Sequence, residues 1–311
     1  MSRPSSRLHW GIPVPEDASQ TIYVWLDALI NYLTVAGYPE KMEHWPPNCH
    51  IIGKDILKFH AIYWPAFLMA AGLELPRKIL CHSHWTVDGT KMSKSKGNVL
   101  DPNQLIEQYT VDGIRYFLLR EAVPHSDGNF SHQKMANYLN AELSNTLGNL
   151  LSRLTSDKLN THQGIPDQQF DTNSACLSDL AKSLIDQLEK LPTIVNKHYE
   201  EFNFYLGIDA IMESLRTTND YMTKEEPWVL KKVDVERLNY VLILCLESLR
   251  ISGILLQPIV PNISDRVLVK LGVSCDSRSW KDSETFSWEE SKTVNKIRTF
   301  TKEKIVLFPK I

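Results

Sequence analysis

His50-Ile51-Ile52-Gly53-Lys54-Asp55-Ile56-Leu57-Lys58-Phe59-His60 decides the fold class of this 311-residue chain. Its first four residues form a short apolar run that ends on a glycine, and from Ile56 to Ala71 the apolar positions keep the spacing of a buried helix. Lys78-Ile79-Leu80-Cys81-His82 supplies another short strand. Upstream, Thr21-Ile22-Tyr23-Val24-Trp25 reads as a buried strand that leads into a helix reaching Tyr32. Strands and helices in alternation predict a parallel sheet in an α/β layer. Only about three strands are in view, against the five or six of an open doubly wound sheet.

Downstream the period changes. Asp101-Pro102-Asn103-Gln104 reads as a capped helix start, residues 111–120 as another helix, and the segment 121–133 as turns around Asp127-Gly128. From Leu139 onward the chain is helical in period over 139–155, 174–203, 204–222, 234–256 and 258–271, with breaks at Gly164-Ile165-Pro166-Asp167 and Glu226-Pro227. That pattern predicts a helical bundle. The expected architecture is therefore α/β followed by all-α.

Composition restricts the function classes. The chain is 43% hydrophobic and 23% charged with a net charge of −3, and neither its first 140 residues nor the remainder carries a basic excess. Global charge therefore argues neither for nor against an RNA partner. Cys49, Cys81, Cys176, Cys245 and Cys275 stand far apart without a CxxC pair. They suggest neither a zinc site nor a disulfide scaffold and read as free thiols of a reducing compartment. The longest apolar runs are broken by Glu247 and Arg250 or by Pro258 and Pro261, so no membrane span is expected. The N-terminus has two arginines and three serines before Trp10-Gly11-Ile12-Pro13, which no amphipathic transit peptide would tolerate.

Lys91-Met92-Ser93-Lys94-Ser95-Lys96-Gly97 gathers three lysines in a Ser/Gly-flanked loop. A flexible ammonium suits a triphosphate, whose leaving pyrophosphate gathers charge as the reaction proceeds, although a solvated basic turn has the same composition. The longer string Val87-Asp88-Gly89-Thr90-Lys91-Met92-Ser93-Lys94-Ser95-Lys96-Gly97-Asn98 resembles the lysine signature loop of class I aminoacyl-tRNA synthetases. With Tyr23-Val24-Trp25-Leu26-Asp27-Ala28-Leu29-Ile30-Asn31-Tyr32, with Ile52–His60 and with Trp64-Pro65-Ala66, the chain resembles the methionyl-tRNA synthetases. Ser6-Arg7-Leu8-His9-Trp10-Gly11-Ile12-Pro13-Val14-Pro15 is similar to their mitochondrial form.

The resemblance implies the second half of a Rossmann-like catalytic sheet over residues 1–84, the lysine loop and stem-contact region over 85–138, and an anticodon-binding helical bundle over 139–311. The family's His-Ile-Gly-His type motif, which belongs to the first half of the sheet, is not found. The implied activity is methionine–tRNA ligation in a form expected to be catalytically incomplete; a non-catalytic anticodon-binding module and an inactive fragment stay open as alternatives. Implied partners are methionine, ATP with Mg2+, and tRNA-Met, with no zinc. A monomer in the mitochondrial matrix is expected.

The resemblance also assigns residues. Trp25, Ala28, Tyr32, Ile56 and His60 would line the methionine pocket, Gly53 and Asp55 would meet the ATP ribose, and Lys91, Met92, Ser93, Lys94 and Ser95 the triphosphate. By the same resemblance Lys91 and Lys94 would be the catalytic pair. Periodicity alone reads the Trp25–Tyr32 stripe as core, and a lone His60 on an apolar helix as a core histidine; Gly53-Lys54-Asp55 is equally a strand-to-helix turn with an Asp cap. Leu29 stands where many bacterial relatives have proline. Asn149, Arg153 and Trp228 resemble the family's anticodon-reading set, an amide and a guanidinium four apart on one helix face and an indole to stack an unpaired base.

Overall fold

The computed structural model describes residues 2–93, 95, 97–288, 299–301 and 305–311. The chain divides into two compact units, Met1–His84 with Pro124–Asp127, and Trp85–Val123 with Gly128–Ile311.

In the first unit, β1 (Ser2–Pro4), β2 (Pro13–Val14) and β3 (Asp17–Ile22) form an antiparallel sheet in the order β1-β3-β2. The expected strand Thr21–Trp25 is thus displaced: only Thr21 and Ile22 are in β3, and helix α1 (Trp25–Val35) starts at the tryptophan. The physical reason lies upstream, where Asp17-Ala18-Ser19-Gln20 is too polar for a strand buried on both faces. The parallel sheet has two strands among the described residues, β4 (His50–Gly53) and β5 (Ile79–His82), paired from His50↔Ile79 to Gly53↔His82. Between them a π-helical turn, Phe59–Tyr63, runs into α2 (Trp64–Ala70), with Pro65 just past the junction. Leu29 and Leu33 from α1 and Trp64 and Leu68 from α2 make the buried core of this unit, flanked by Trp25, Tyr32, Trp45 and Phe59. On β4, Ile52 is 3% exposed while Ile51, on the other face, is 66% exposed.

The second unit opens with β6 (Trp85–Val87) and β7 (Thr90–Lys91), an antiparallel hairpin turned by Asp88 and Gly89, both with positive φ of 47° and 73°. Asp-Gly is the composition that such a turn favours. β8 (Gly128–Phe130) pairs parallel with β6, so a strand begins within the turn residues expected around Asp127-Gly128. Helix α3 (Pro102–Glu121) starts where expected, with Asp101 accepting from the Asn103 amide at 2.8 Å. At Thr110 it is broken by a residue at φ 64°, ψ 162°, whose Oγ1 accepts from the Gly113 amide and starts the next turn. Helix α4 (His132–Tyr138) continues through a π-helical stretch, Leu139–Gly148, into α5 (Asn149–Leu154), so the helix crosses residues 138–139 without interruption.

The bundle is completed by α6 (Asp179–Glu200), α7 (Phe204–Glu225), α8 (Pro227–Val233), α9 (Val235–Leu255) and α10 (Pro261–Lys270); all but the short α8 lie close to the helices expected from the period. α9 is long and apolar enough to cross a membrane by length and composition, yet 94% of its most apolar window is buried inside the protein. It is the central helix of the core, and the buried Glu247–Arg250 ion pair explains how it tolerates charge. Arg250 donates to both Glu247 oxygens at 3.0 and 2.5 Å and to the carbonyls of Asp282 and Thr285, while Ser287 donates to Glu247 through its amide and hydroxyl. Asp112 accepts from the Ile263 amide at 2.7 Å, capping the first turn of α10, and Arg115 donates to the carbonyls of Pro258 and Ile259; together they fix α3 to the α9–α10 corner.

Candidate functional site

The structure gathers Trp25, Tyr32, Ile56 and His60 at one place. α1 carries Trp25 and Tyr32 on one face, and the π-helical turn after β4 swings His60 inward to 2% exposure. Local π geometry of this kind often accompanies functional positions. Trp25 stacks on Phe59 with ring centroids 4.0 Å apart and meets the His60 ring edge-on at 6.0 Å. His60 Nδ1 lies 3.0 Å from the Ile56 carbonyl, which only accepts, so in the neutral ring Nδ1 carries the hydrogen and Nε2 is left to accept. The Tyr32 hydroxyl therefore donates to Nε2, at 2.9 Å. Burial pushes the Tyr32 phenol above its ordinary pKa, which keeps it a neutral donor. The result is a small apolar wall of aromatic faces with one fixed, uncharged polar point. Such a wall suits an unbranched, polarizable side chain. Ala28 is exposed beside this cluster, and Leu29 is fully buried in the core behind it.

His50 was not legible as a site residue. It ends up 5% exposed on β4, edge-on to Tyr32 at 4.3 Å, and burial followed by the nearby His60 lowers its pKa. Its signal was a histidine at the start of an otherwise apolar strand.

Gly53 and Asp55 stand at the carboxyl end of β4, the usual ligand position of a parallel sheet. Asp55 does not cap the following turn with its side chain; the carboxylate is exposed, with the His84 ring nitrogen Nε2 3.3 Å from its Oδ2. Lys54, the residue between them, pairs with Asp127 at 2.6 Å, and that hydrogen bond holds the Asp127 carboxyl below its usual range.

In the second unit Lys91 ends β7 and is exposed, with Met92 and Ser93 half-buried after it and Ser95 exposed. Lys94, expected as a catalytic and phosphate-binding residue, lies outside the described residues. Asn98, quoted only as part of the motif, braces the loop: its Oδ1 accepts from the Ser93 amide at 2.9 Å and its Nδ2 donates to the Lys91 carbonyl. Gly97, at φ 65°, takes a backbone conformation that suits glycine.

Asn149 and Arg153 are one turn apart on α5, as expected, and the Arg153 guanidinium lies 5.7 Å from the centre of the Trp228 ring. Trp228, second residue of α8, is 45% exposed, so its indole is not part of the core. The turn into α8 is set by Glu226 in the left-handed region and by Pro227 at the helix start. The half-buried Arg153 and the exposed Trp228 thus form a cation–π pair whose indole offers a surface on which a further flat ring could stack. Among the described residues no group of three or more His, Cys, Asp or Glu side chains converges to hold a metal ion.

Residues 3–155 match the family described as tRNA synthetases class I (M), and residues 173–311 match the anticodon binding domain of methionyl tRNA ligase. The human mitochondrial methionine–tRNA ligase is 48% identical over 90% of this chain and 49% of its own length; the Xenopus laevis one is 44% identical over the whole chain and 56% of its own. A solved Mycobacterium tuberculosis methionyl-tRNA synthetase in complex with methionyl-adenylate superposes with a TM-score of 0.84 at 36% identity, over 99% of this chain and 60% of that one. The chain spans about half the length of the curated relatives it matches.

Proposed function

Since the chain belongs to the class I methionyl-tRNA synthetases, with a Rossmann-like catalytic region followed by a helical anticodon-binding domain, we propose that it serves methionine–tRNA ligation. Methionine and ATP would give methionyl-adenylate and pyrophosphate, and the methionyl group would then pass to the 3′ end of tRNA-Met. The observation that carries this reading is the Trp25–Tyr32–His60 wall, an aromatic surface with a single neutral polar point. Ala28 and Ile56 complete the proposed methionine pocket. Gly53 and Asp55 take the ATP ribose, while Lys91, Met92, Ser93, Lys94 and Ser95 take the triphosphate, which arrives with Mg2+.

Chemistry in this reading is positioning and charge stabilisation, without a covalent enzyme intermediate. Lys91 and Lys94 strengthen their hold as charge grows on the departing pyrophosphate. Asn149 and Arg153 address base edges, and Trp228 stacks a base of the CAU anticodon. The setting is the mitochondrial matrix, in keeping with relatives named mitochondrial, and the working unit is a monomer.

A second reading has its own support, because the helical unit owns a large core while the sheet unit has a small one. In it the chain binds the anticodon without catalysing. Two measurements on the 311-residue chain separate the readings: methionine-dependent pyrophosphate exchange, and affinity for a CAU stem-loop against a scrambled loop. We expect weak or undetectable exchange together with selective stem-loop binding, and exchange restored when a polypeptide carrying the family's His-Ile-Gly-His type half is joined. Trp228→Ala should remove about 1–3 kcal/mol of the stem-loop affinity with little change in salt dependence. Equal affinity for both loops overturns the anticodon assignment. Exchange that stays absent in the joined protein leaves only the binding module.

A further inference from the structure

The carboxyl ends of β4 and β5 are tied together by a carboxylate from far along the sequence. Asp127 closes the segment Pro124–Asp127, which packs with residues 1–84 although the chain on either side of it belongs to the other unit. Its Oδ1 accepts from Lys54 Nζ at 2.6 Å and from the His84 backbone N–H at 3.0 Å. Lys54 is the middle residue of the Gly53-Lys54-Asp55 turn, and His84 follows β5 by two residues. The His84 ring then reaches back, placing Nε2 3.3 Å from Asp55 Oδ2. The four residues close a circuit: Asp127 to Lys54, along the chain to Asp55, across to the His84 ring, and through the His84 amide back to Asp127.

We infer that Asp127 and His84 are positioning residues that hold the Asp55 carboxylate in the orientation needed to accept from the two vicinal hydroxyls of a nucleotide ribose. The inference rests on the reading of Asp55 as the ribose-binding group. Asp55 needs such help: its side chain is 70% exposed on a single 3-10 turn, and it makes no capping bond of its own. A carboxylate that must face two adjacent hydroxyls at once gains from being fixed beforehand, since freezing it on binding costs affinity. The circuit is poorly suited to a purely structural purpose. Lys54 and Asp127 are 41% and 43% exposed, and exposed ion pairs add little to fold stability. What the circuit does restrict is the relation between the two strand ends at which a ligand of a parallel sheet lies.

The test compares ATP with 2′,3′-dideoxy-ATP, which lacks both hydroxyls, by equilibrium binding to the 311-residue chain. The unmodified chain should prefer ATP by at least about tenfold, the gain expected from hydrogen bonds to a charged group. Asp55→Ala should abolish that preference. Asp127→Ala and His84→Ala should each reduce it to about threefold or less with unchanged melting temperature, and Asp127→Asn, whose amide oxygen still accepts from the His84 N–H, should keep more of it than Asp127→Ala. A structural role alone would weaken both nucleotides together and leave their ratio alone. If Asp55→Ala abolishes the preference while Asp127→Ala and His84→Ala leave it intact, the positioning role is overturned and the ribose assignment stands. If the unmodified chain shows no preference, or Asp55→Ala keeps it, the ribose assignment fails first and the inference with it.

Discussion

The sheet unit and the helical unit are built on different principles. In the helical unit the buried apolar residues form one continuous cluster running from Tyr109 to Phe308, with α9 at its centre. In the sheet unit the corresponding cluster is Leu29, Leu33, Trp64 and Leu68, while Trp10, Val35, Ile51 and Met69 are more than 60% exposed. Helices satisfy their own backbone groups and need only one buried stripe, so a bundle closes on itself. A parallel strand pair needs cover on both faces and at both edges, and two strands provide little of either. The proposed ribose and methionine ligands sit on the weakly self-sufficient unit, and the proposed anticodon surface on the robust one.

The largest expected effect comes from separating the two. Residues 85–311 alone should melt in one cooperative transition by circular dichroism, whereas residues 1–84 alone should show none. A cooperative melt from residues 1–84 would break the comparison outright.

Next in size is the buried pair on α9. Arg250→Ala leaves the Glu247 carboxylate buried without its guanidinium and should cost about 3–5 kcal/mol in denaturant unfolding. Burial works against the ionised Glu247, but Arg250 and Ser287 outweigh it and hold the carboxyl below its ordinary value of 4.5. A depressed native value means that the unfolded chain binds the proton first. The stability that Glu247 contributes is therefore complete above the ordinary carboxyl value and is lost as pH falls through the lower native one. Denaturation midpoints of the unmodified chain and of Glu247→Gln should converge in acid; a constant gap down to full protonation would contradict this.

The same truncation in each core sharpens the contrast. Leu244→Ala, in the middle of α9, should approach the upper end of the roughly 2–5 kcal/mol range for such changes, because its surroundings cannot collapse. Leu29→Ala should lie near the lower end, since the thin core around it can relax, and hydrogen exchange should show the loss confined to the sheet unit. Equal costs in both would mean that the two cores are equally rigid. The smallest expected effect is at the α3 break. Thr110 occupies a conformation essentially restricted to glycine, so Thr110→Gly should be neutral to stabilising by about 1 kcal/mol, the relieved strain outweighing a weak loss of capping. A melting temperature lowered by several degrees would show that the hydroxyl bond to Gly113 matters more.

Much of this was legible in the chain itself. Helices α6, α7, α9 and α10 follow from their 3.6-residue period and from the Pro and Gly residues that punctuate it, because those signals are local and act through the backbone. The lysine loop was legible as a motif, and so was the spacing of Asn149 and Arg153. The hairpin over Trp85–Lys91 is equally local, marked by Asp88-Gly89. Other features could not be read from any window. That β3 is the middle strand of its sheet depends on Ser2–Pro4 lying along its second edge, and that Gly128–Phe130 is a strand depends on β6, some forty residues earlier, offering it an edge.

The sequence by itself determined the helical bundle, the strand–helix–strand order around Gly53, and the residue types available for an aromatic pocket and a cationic loop; these depend on periodicity and composition, which each short segment carries alone. Only the tertiary structure decided that Tyr32 donates to His60, that Arg153 meets Trp228 at the surface, and that Asp127 closes on Lys54 and His84. Each of these joins residues 28 to 75 positions apart. Contacts of that kind are fixed by how helices and strands pack once formed, and a hydrogen-bonding side chain carries no local mark of the partner it will meet.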